Sequence, residues 1–112
     1  MSAVVYRRKL CGSTFFAVVL LVATQASASE VIRIKIDKLA FSPAQASAHV
    51  GDTIEWSNAD FVAHTATETH GAWDVIIPAG ATRRLVLRES GAVDYYCRFH
   101  PNMKGQLHVD TK

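Results

Sequence analysis

The sequence predicts an all-β protein, a single antiparallel sandwich or barrel. Short apolar stretches alternate with polar residues at period two, and turn residues recur between them at Gly51-Asp52, Pro78-Ala79-Gly80 and Glu89-Ser90-Gly91. No segment after residue 28 carries a helical period, and strands this short with turns this frequent are the pattern of a sandwich.

The first 28 residues stand outside that pattern. Arg7, Arg8 and Lys9 form a positive segment, Phe15 to Ala23 is a continuous apolar run, and Ala26-Ser27-Ala28 supplies small residues. This three-part order predicts a secretory signal cleaved after Ala28, and hence a periplasmic protein. The apolar run falls well short of the roughly 20 residues needed to span a bilayer. Cys11 precedes the run, the wrong side for a lipid-modified cysteine. Residues 29–112 are then the functional domain, about 84 residues, enough for one modest core.

Removing the signal changes the balance of the chain. Without Arg7, Arg8 and Lys9, nine basic residues face ten acidic ones, a net charge of −1. No stretch mixes basic residues with aromatics, so nucleic acid is excluded as a partner. Cys97 and Met103 are the single cysteine and single methionine left, so an internal disulfide is impossible. A lone thiol in an oxidising compartment must be buried, joined to another chain or coordinated.

The elements follow in order. Ile32, Ile34 and Ile36 alternate with Arg33, Lys35 and Asp37, a strand with one buried side. Phe41-Ser42-Pro43 breaks it. Ala46 to Val50 is a second strand, and Thr53 to Asn58 a third with Ile54 and Trp56 on one side. Asn58-Ala59-Asp60 reads as loop, Ala63 to Thr67 as a fourth strand, and Gly71 as another loop. Thr82 to Arg88 sets Leu85 and Leu87 against Arg84, Val86 and Arg88. Ala92 to Cys97 and Gln106 to Val109 are the last strands. Trp56 and Trp73 are read as core aromatics, and Arg83, Arg84 and Arg88 as a solvated face. His49 and His108 are read as surface residues. His70 is likewise read as a surface or half-buried residue, with one exception kept open: its loop begins near His64, so that it and Glu68 would touch the rim of the site.

The chemistry is concentrated in Tyr96-Cys97-Arg98-Phe99-His100-Pro101-Asn102-Met103. A thiolate, an imidazole and a thioether recur at every third position. With one further histidine they make the ligand set of a copper electron-transfer centre. His64, at the head of a strand, is the candidate. A loop of this length held between two strands leaves its ligands few conformations. Pro101 fixes one φ angle, and Gly105 is read as a tight exit into the final strand. Structural zinc takes four strong ligands, and methionine is not one of them. A two-copper centre needs a second cysteine, and Arg98 to Met103 holds none.

The segment DYYCRFHPNMKGQLHV resembles the last strand–loop–strand of the cupredoxins, and the Cys-x-x-His-Pro-x-Met loop is most similar to that of amicyanins. Plastocyanins and pseudoazurins are more distant. VGDTIEWSNADFVAHT resembles the cupredoxin segment that leads to the first copper histidine. The resemblance spans about Val31 to Val109. It implies a Greek-key sandwich of eight or so strands with one copper ion at one end. It implies His64, Cys97 and His100 as strong ligands and Met103 as the axial one. Where those families carry asparagine after the first histidine, tying the two ligand loops together, this chain has Thr65, whose hydroxyl can make such a bond. The stretch between His64 and Cys97 is also shorter than in amicyanins.

The function expected is therefore one-electron transfer rather than enzymatic turnover. The partners would be transient redox proteins, a c-type cytochrome or a periplasmic dehydrogenase or reductase, met by a monomer with no membrane span after cleavage. Copper storage, delivery or scavenging is the alternative. It is disfavoured by the lack of a methionine-rich or histidine-rich tract.

Overall fold

A computed structural model of the chain describes residues 12–22 and 28–112. The apolar residues Phe15, Phe16 and Val18 to Val22 are exposed, and residues 12–22 form neither helix nor strand. No helix among the described residues is long and apolar enough to cross a membrane. Arg7, Arg8, Lys9, Cys11, Ala23, Ala26 and Ser27, on which part of the signal reading rests, lie outside the described residues.

Among the described residues there are nine strands: β1 (Val31–Asp37), β2 (Ala40–Ser42), β3 (Gln45–His49), β4 (Thr53–Asn58), β5 (His64–Glu68), β6 (Asp74–Ile77), β7 (Thr82–Val86), β8 (Gly91–Tyr96) and β9 (Lys104–Asp110). They form two sheets, ordered β2-β1-β4-β7 and β3-β9-β8-β5-β6. The chain passes repeatedly from one sheet to the other, so most neighbours are distant in sequence. That is the connectivity of a Greek-key sandwich.

The isoleucine alternation of β1 is realised. Ile34 and Ile36 are buried while Arg33 and Lys35 face out. Ile54 and Trp56 do the same from β4, and Leu107 and Val109 close the core from β9. Each isoleucine or leucine buried this fully contributes roughly 1.5–3 kcal/mol through the hydrophobic effect. Phe41, Trp56, Trp73 and Tyr95 pack in one aromatic cluster, with Phe41 edge-on to Tyr95 at 4.7 Å. On the outer face, Glu55 is buried because Arg33 and Arg84 both reach over it, Arg84 Nε at 2.7 Å.

Three expectations change. The sandwich is mixed rather than antiparallel: β1 runs parallel to β4, and β3 parallel to β9. Alternation encodes which face is buried, not strand direction, and each parallel pair arises from a crossover through the opposite sheet. The break at Phe41-Ser42-Pro43 instead includes the short edge strand β2, with Pro43 just past its end, where no ladder donor is needed. A strand also fills the gap after Gly71: β6 pairs with β5, matching His64 to Ile77 and Thr67 to Asp74.

Gly105 has a different reason from the one expected. A β-carbon there would lie 2.2 Å from the Tyr95 ring, its cross-strand partner. The glycine makes room for an aromatic ring.

Candidate metal centre

Four connections meet at one end of the sandwich: the turn at Lys38-Leu39, the β4–β5 loop, the β6–β7 turn and the β8–β9 loop. His64 opens β5 and Cys97 follows β8, and these two strands are neighbours in the five-stranded sheet. The strand order therefore brings the remote histidine to the C-terminal loop.

The loop itself is two successive turns. His100 N–H donates to the Cys97 carbonyl at 3.2 Å, and Met103 N–H to the His100 carbonyl at 2.8 Å. Cys97 N–H closes the loop on the Met103 carbonyl at 3.0 Å. Each turn begins and ends on a candidate ligand, which is the physical meaning of the three-residue spacing.

Cys97 Sγ lies 3.7 Å from His64 Nδ1 and 3.7 Å from His100 Nδ1. The ligand atoms of His64, Cys97 and His100 all fall within 4.8 Å of one another. His64 and Cys97 are fully buried, whereas His100 is half-buried. Met103, 4 % exposed, belongs to the same buried cluster as Cys97. The two imidazoles stand 5.0 Å apart between centroids.

Two further arrangements hold these groups. His64 Nε2 sits 2.8 Å from Asp60 Oδ2. A carboxylate only accepts, so Nε2 carries the hydrogen and the Nδ1 lone pair is turned towards the thiol. Asp60 also accepts Lys38 N–H at 2.7 Å and Leu39 N–H at 3.0 Å. Both donors have positive φ, 52° and 59°, a left-handed turn that non-glycine residues seldom adopt. The Leu39 amide chiefly, with the His64 ring and the Lys38 amide adding, holds the Asp60 carboxyl below the ordinary range against the opposing effect of burial. Thr65 N–H donates to Cys97 Sγ at 3.3 Å, and Thr65 Oγ1 accepts Arg98 N–H at 2.8 Å. The threonine hydroxyl thus makes the tie between ligand loops expected of it.

His70 and Glu68 do not reach the site. Glu68 is the last residue of β5 and His70 lies just beyond it, at the opposite end of the strand that His64 begins. Glu68 instead accepts His70 N–H at 2.7 Å and Ala72 N–H at 2.9 Å and shapes its own turn. His49 and His108 are exposed, as expected. Asp60 and the Lys38-Leu39 turn were missed as contributors. For Asp60 there was a signal: an acidic residue four positions before a candidate ligand, inside a loop.

A buried thiol facing two imidazoles, with a thioether in the same short loop, is a copper donor set, and these residues fit one copper ion. Fold and site together define the class of small β-sandwich copper proteins. The chain matches the family model for the cupredoxin-like domain over residues 10–109, and it belongs to that family. Its fold is that of amicyanin. An oxidised amicyanin with a methionine-to-leucine substitution is 25 % identical, with 70 % of this chain and 81 % of that chain covered and a TM-score of 0.66. A reduced amicyanin with a proline-to-phenylalanine substitution is 26 % identical over 79 % and 88 %, at 0.61. The Cu(I) form of a methionine-to-alanine amicyanin is 26 % identical over 74 % and 85 %, at 0.64. No curated protein sequence matches the chain.

Proposed function

We propose that the protein is a type 1 blue-copper carrier that passes single electrons between periplasmic redox partners. His64, Cys97 and His100 would be the strong ligands and Met103 the weak axial one, with residues 1–28 removed as a secretory signal. The observation that carries the reading is the convergence of His64 Nδ1, Cys97 Sγ and His100 Nδ1.

Bound copper would supply a Cu(I)/Cu(II) couple whose two states tolerate the same thiolate, imidazole and thioether surroundings. The chain's own residues hold those surroundings still. Asp60 orients the His64 ring, the two turns fix Cys97, His100 and Met103 relative to one another, and burial excludes water from the sulfur. His100 is the candidate ligand nearest the surface. Phe99, 51 % exposed, and the exposed Pro101 and Asn102 surround it, while Phe61 and Val62 project from the adjoining loop. A rim of a few exposed apolar residues suits brief encounters with a redox partner rather than a permanent complex.

Addition of Cu(II) to the purified protein tests the reading. An intense absorption towards the red end of the visible range, with small copper hyperfine splitting in EPR, is the expected result. Cys97→Ser should abolish the colour. A folded protein that stays colourless would refute the proposal. Ready surrender of Cu(I) to a chelator, with slow electron self-exchange, would instead favour copper delivery.

A further inference from the structure

Thr65 and Thr67 project from the outer face of β5, on the opposite side from His64 and Ala66. Outward threonines are usually wet, yet Thr65 is 0 % and Thr67 8 % exposed. They are enclosed in a ring of hydrogen bonds that involves Asp74 on β6 and the side chain of Arg98. Arg98 Nε and Nη2 reach Asp74 Oδ1 and Oδ2 at 3.1 and 3.0 Å, a two-pronged pair. Thr67 Oγ1 donates to Asp74 Oδ1. Thr65 Oγ1 lies 2.9 Å from Thr67 Oγ1. Arg98 N–H donates to Thr65 Oγ1 at 2.8 Å.

The direction of this ring is determined. A carboxylate accepts only, so the Thr67 hydrogen is committed to Asp74. Thr67 must then accept from Thr65, and Thr65 must accept from the Arg98 amide. Every bond points the same way, from the Arg98 main chain to the carboxylate, and the Arg98 guanidinium returns to that carboxylate from above. Aligned bonds of this kind polarise one another and strengthen. The ring begins and ends on the residue directly after Cys97, and its first acceptor belongs to the residue whose N–H meets Cys97 Sγ.

We propose that Asp74 and the Arg98 side chain, acting through Thr67 and Thr65, are positioning residues for the Cys97 sulfur: they set the Thr65 N–H···Sγ contact and so the reduction potential of the bound copper. The claim rests on the copper reading above. Hydrogen bonds to a cysteine sulfur stabilise electron density on it and favour the reduced metal, so a loosened contact lowers the potential. Neither Asp74 nor Thr67 makes a side-chain hydrogen bond to a candidate ligand, which separates their influence from direct coordination.

Thr67→Val removes the relay at its centre while keeping the shape of the side chain. Asp74→Asn, at an exposed position that should fold normally, replaces one carboxylate oxygen by an NH2 donor, which breaks the two-pronged Arg98 pair and no longer fixes the direction of the ring. Thr67→Ser keeps the hydroxyl and should restore wild-type behaviour. In the copper-free protein, hydrogen exchange at the Arg98 amide is expected to quicken about tenfold in Thr67→Val and Asp74→Asn, the scale of one lost hydrogen bond. In the copper-loaded protein, both variants should show a lowered reduction potential and a shifted sulfur-to-copper absorption, and Thr67→Ser should show neither. Unchanged Arg98 exchange would overturn the proposal. So would faster exchange with an unaltered potential and spectrum, since the ring would then serve only stability. The exchange measurement needs no metal, so failure of the ring is distinguishable from failure of the copper reading, which a colourless wild-type protein would reveal.

Discussion

A side chain at Gly105 has nowhere to go, because Tyr95 lies across the position where its β-carbon would stand. Tyr95 is itself wedged among Phe41, Trp56 and Trp73, with Trp56 Nε1 donating to its hydroxyl at 3.4 Å, and burial pushes the phenol up to about 12. Gly105→Ala should therefore overpack the core and cost about 1–3 kcal/mol, read as a lower urea midpoint at unchanged slope. At Asp60, replacement by asparagine keeps an acceptor for His64 Nε2–H but removes the negative charge on which the ring and two strained amides converge. Copper affinity should fall by roughly 10–100-fold in a competition with a chelator. At this scale the sequence was most informative where chemistry is rare: one cysteine, one methionine and a histidine between them identified the loop. It was less informative for Asp60, Thr67 and Asp74. Those residue types are common, and only their placement beside His64 and Arg98 distinguishes them.

The β8–β9 loop works as a unit because Cys97 N–H returns to the Met103 carbonyl. Inserting one glycine between Pro101 and Asn102 should break the second turn and displace Met103. The expected result is a copper protein with altered relative intensities in its visible bands, checked by optical spectroscopy. Among the strands, β4 was readable end to end, since Ile54 and Trp56 alternate between clear turn residues. The two strands overlooked are edge strands of three and four residues. Ala40-Phe41-Ser42 offers one large apolar residue before a proline. Asp74-Val75-Ile76-Ile77 has alternating burial, but its sequence is a polar residue followed by three apolar ones, which carries no period of two. The turn at Lys38-Leu39 was hidden for a different reason. Its left-handed backbone is stabilised by a carboxylate more than twenty residues away, not by a glycine or asparagine in the turn. Partnership between distant strands, including both parallel pairs, is written in no local pattern.

For the molecule as a whole, the end opposite the metal centre is held by Asp52. Its carboxylate accepts Glu30 N–H and His49 N–H, each at 2.8 Å, and so joins the approach to β1 to the end of β3. The Glu30 amide first, then the His49 amide, hold this carboxyl below its ordinary value, with burial opposing. A carboxyl depressed in the folded state adds stability that is complete above its unfolded value and disappears as pH falls through the folded one. Thermal melts of the copper-free protein should therefore show wild type losing its advantage over Asp52→Asn as the pH is lowered from about 5 towards 2. A gap that stayed constant across that range would show that Asp52 contributes through shape alone. The sandwich also dictates an order of events. Three of the four candidate donors lie between β8 and β9, and β9 is inserted between β3 and β8 in the interior of its sheet. Until that strand is threaded, His64 is not held against the three donors of the β8–β9 loop as one four-donor site. Folding of the chain alone assembles the full set, and the metal-free protein should already melt as one cooperative body.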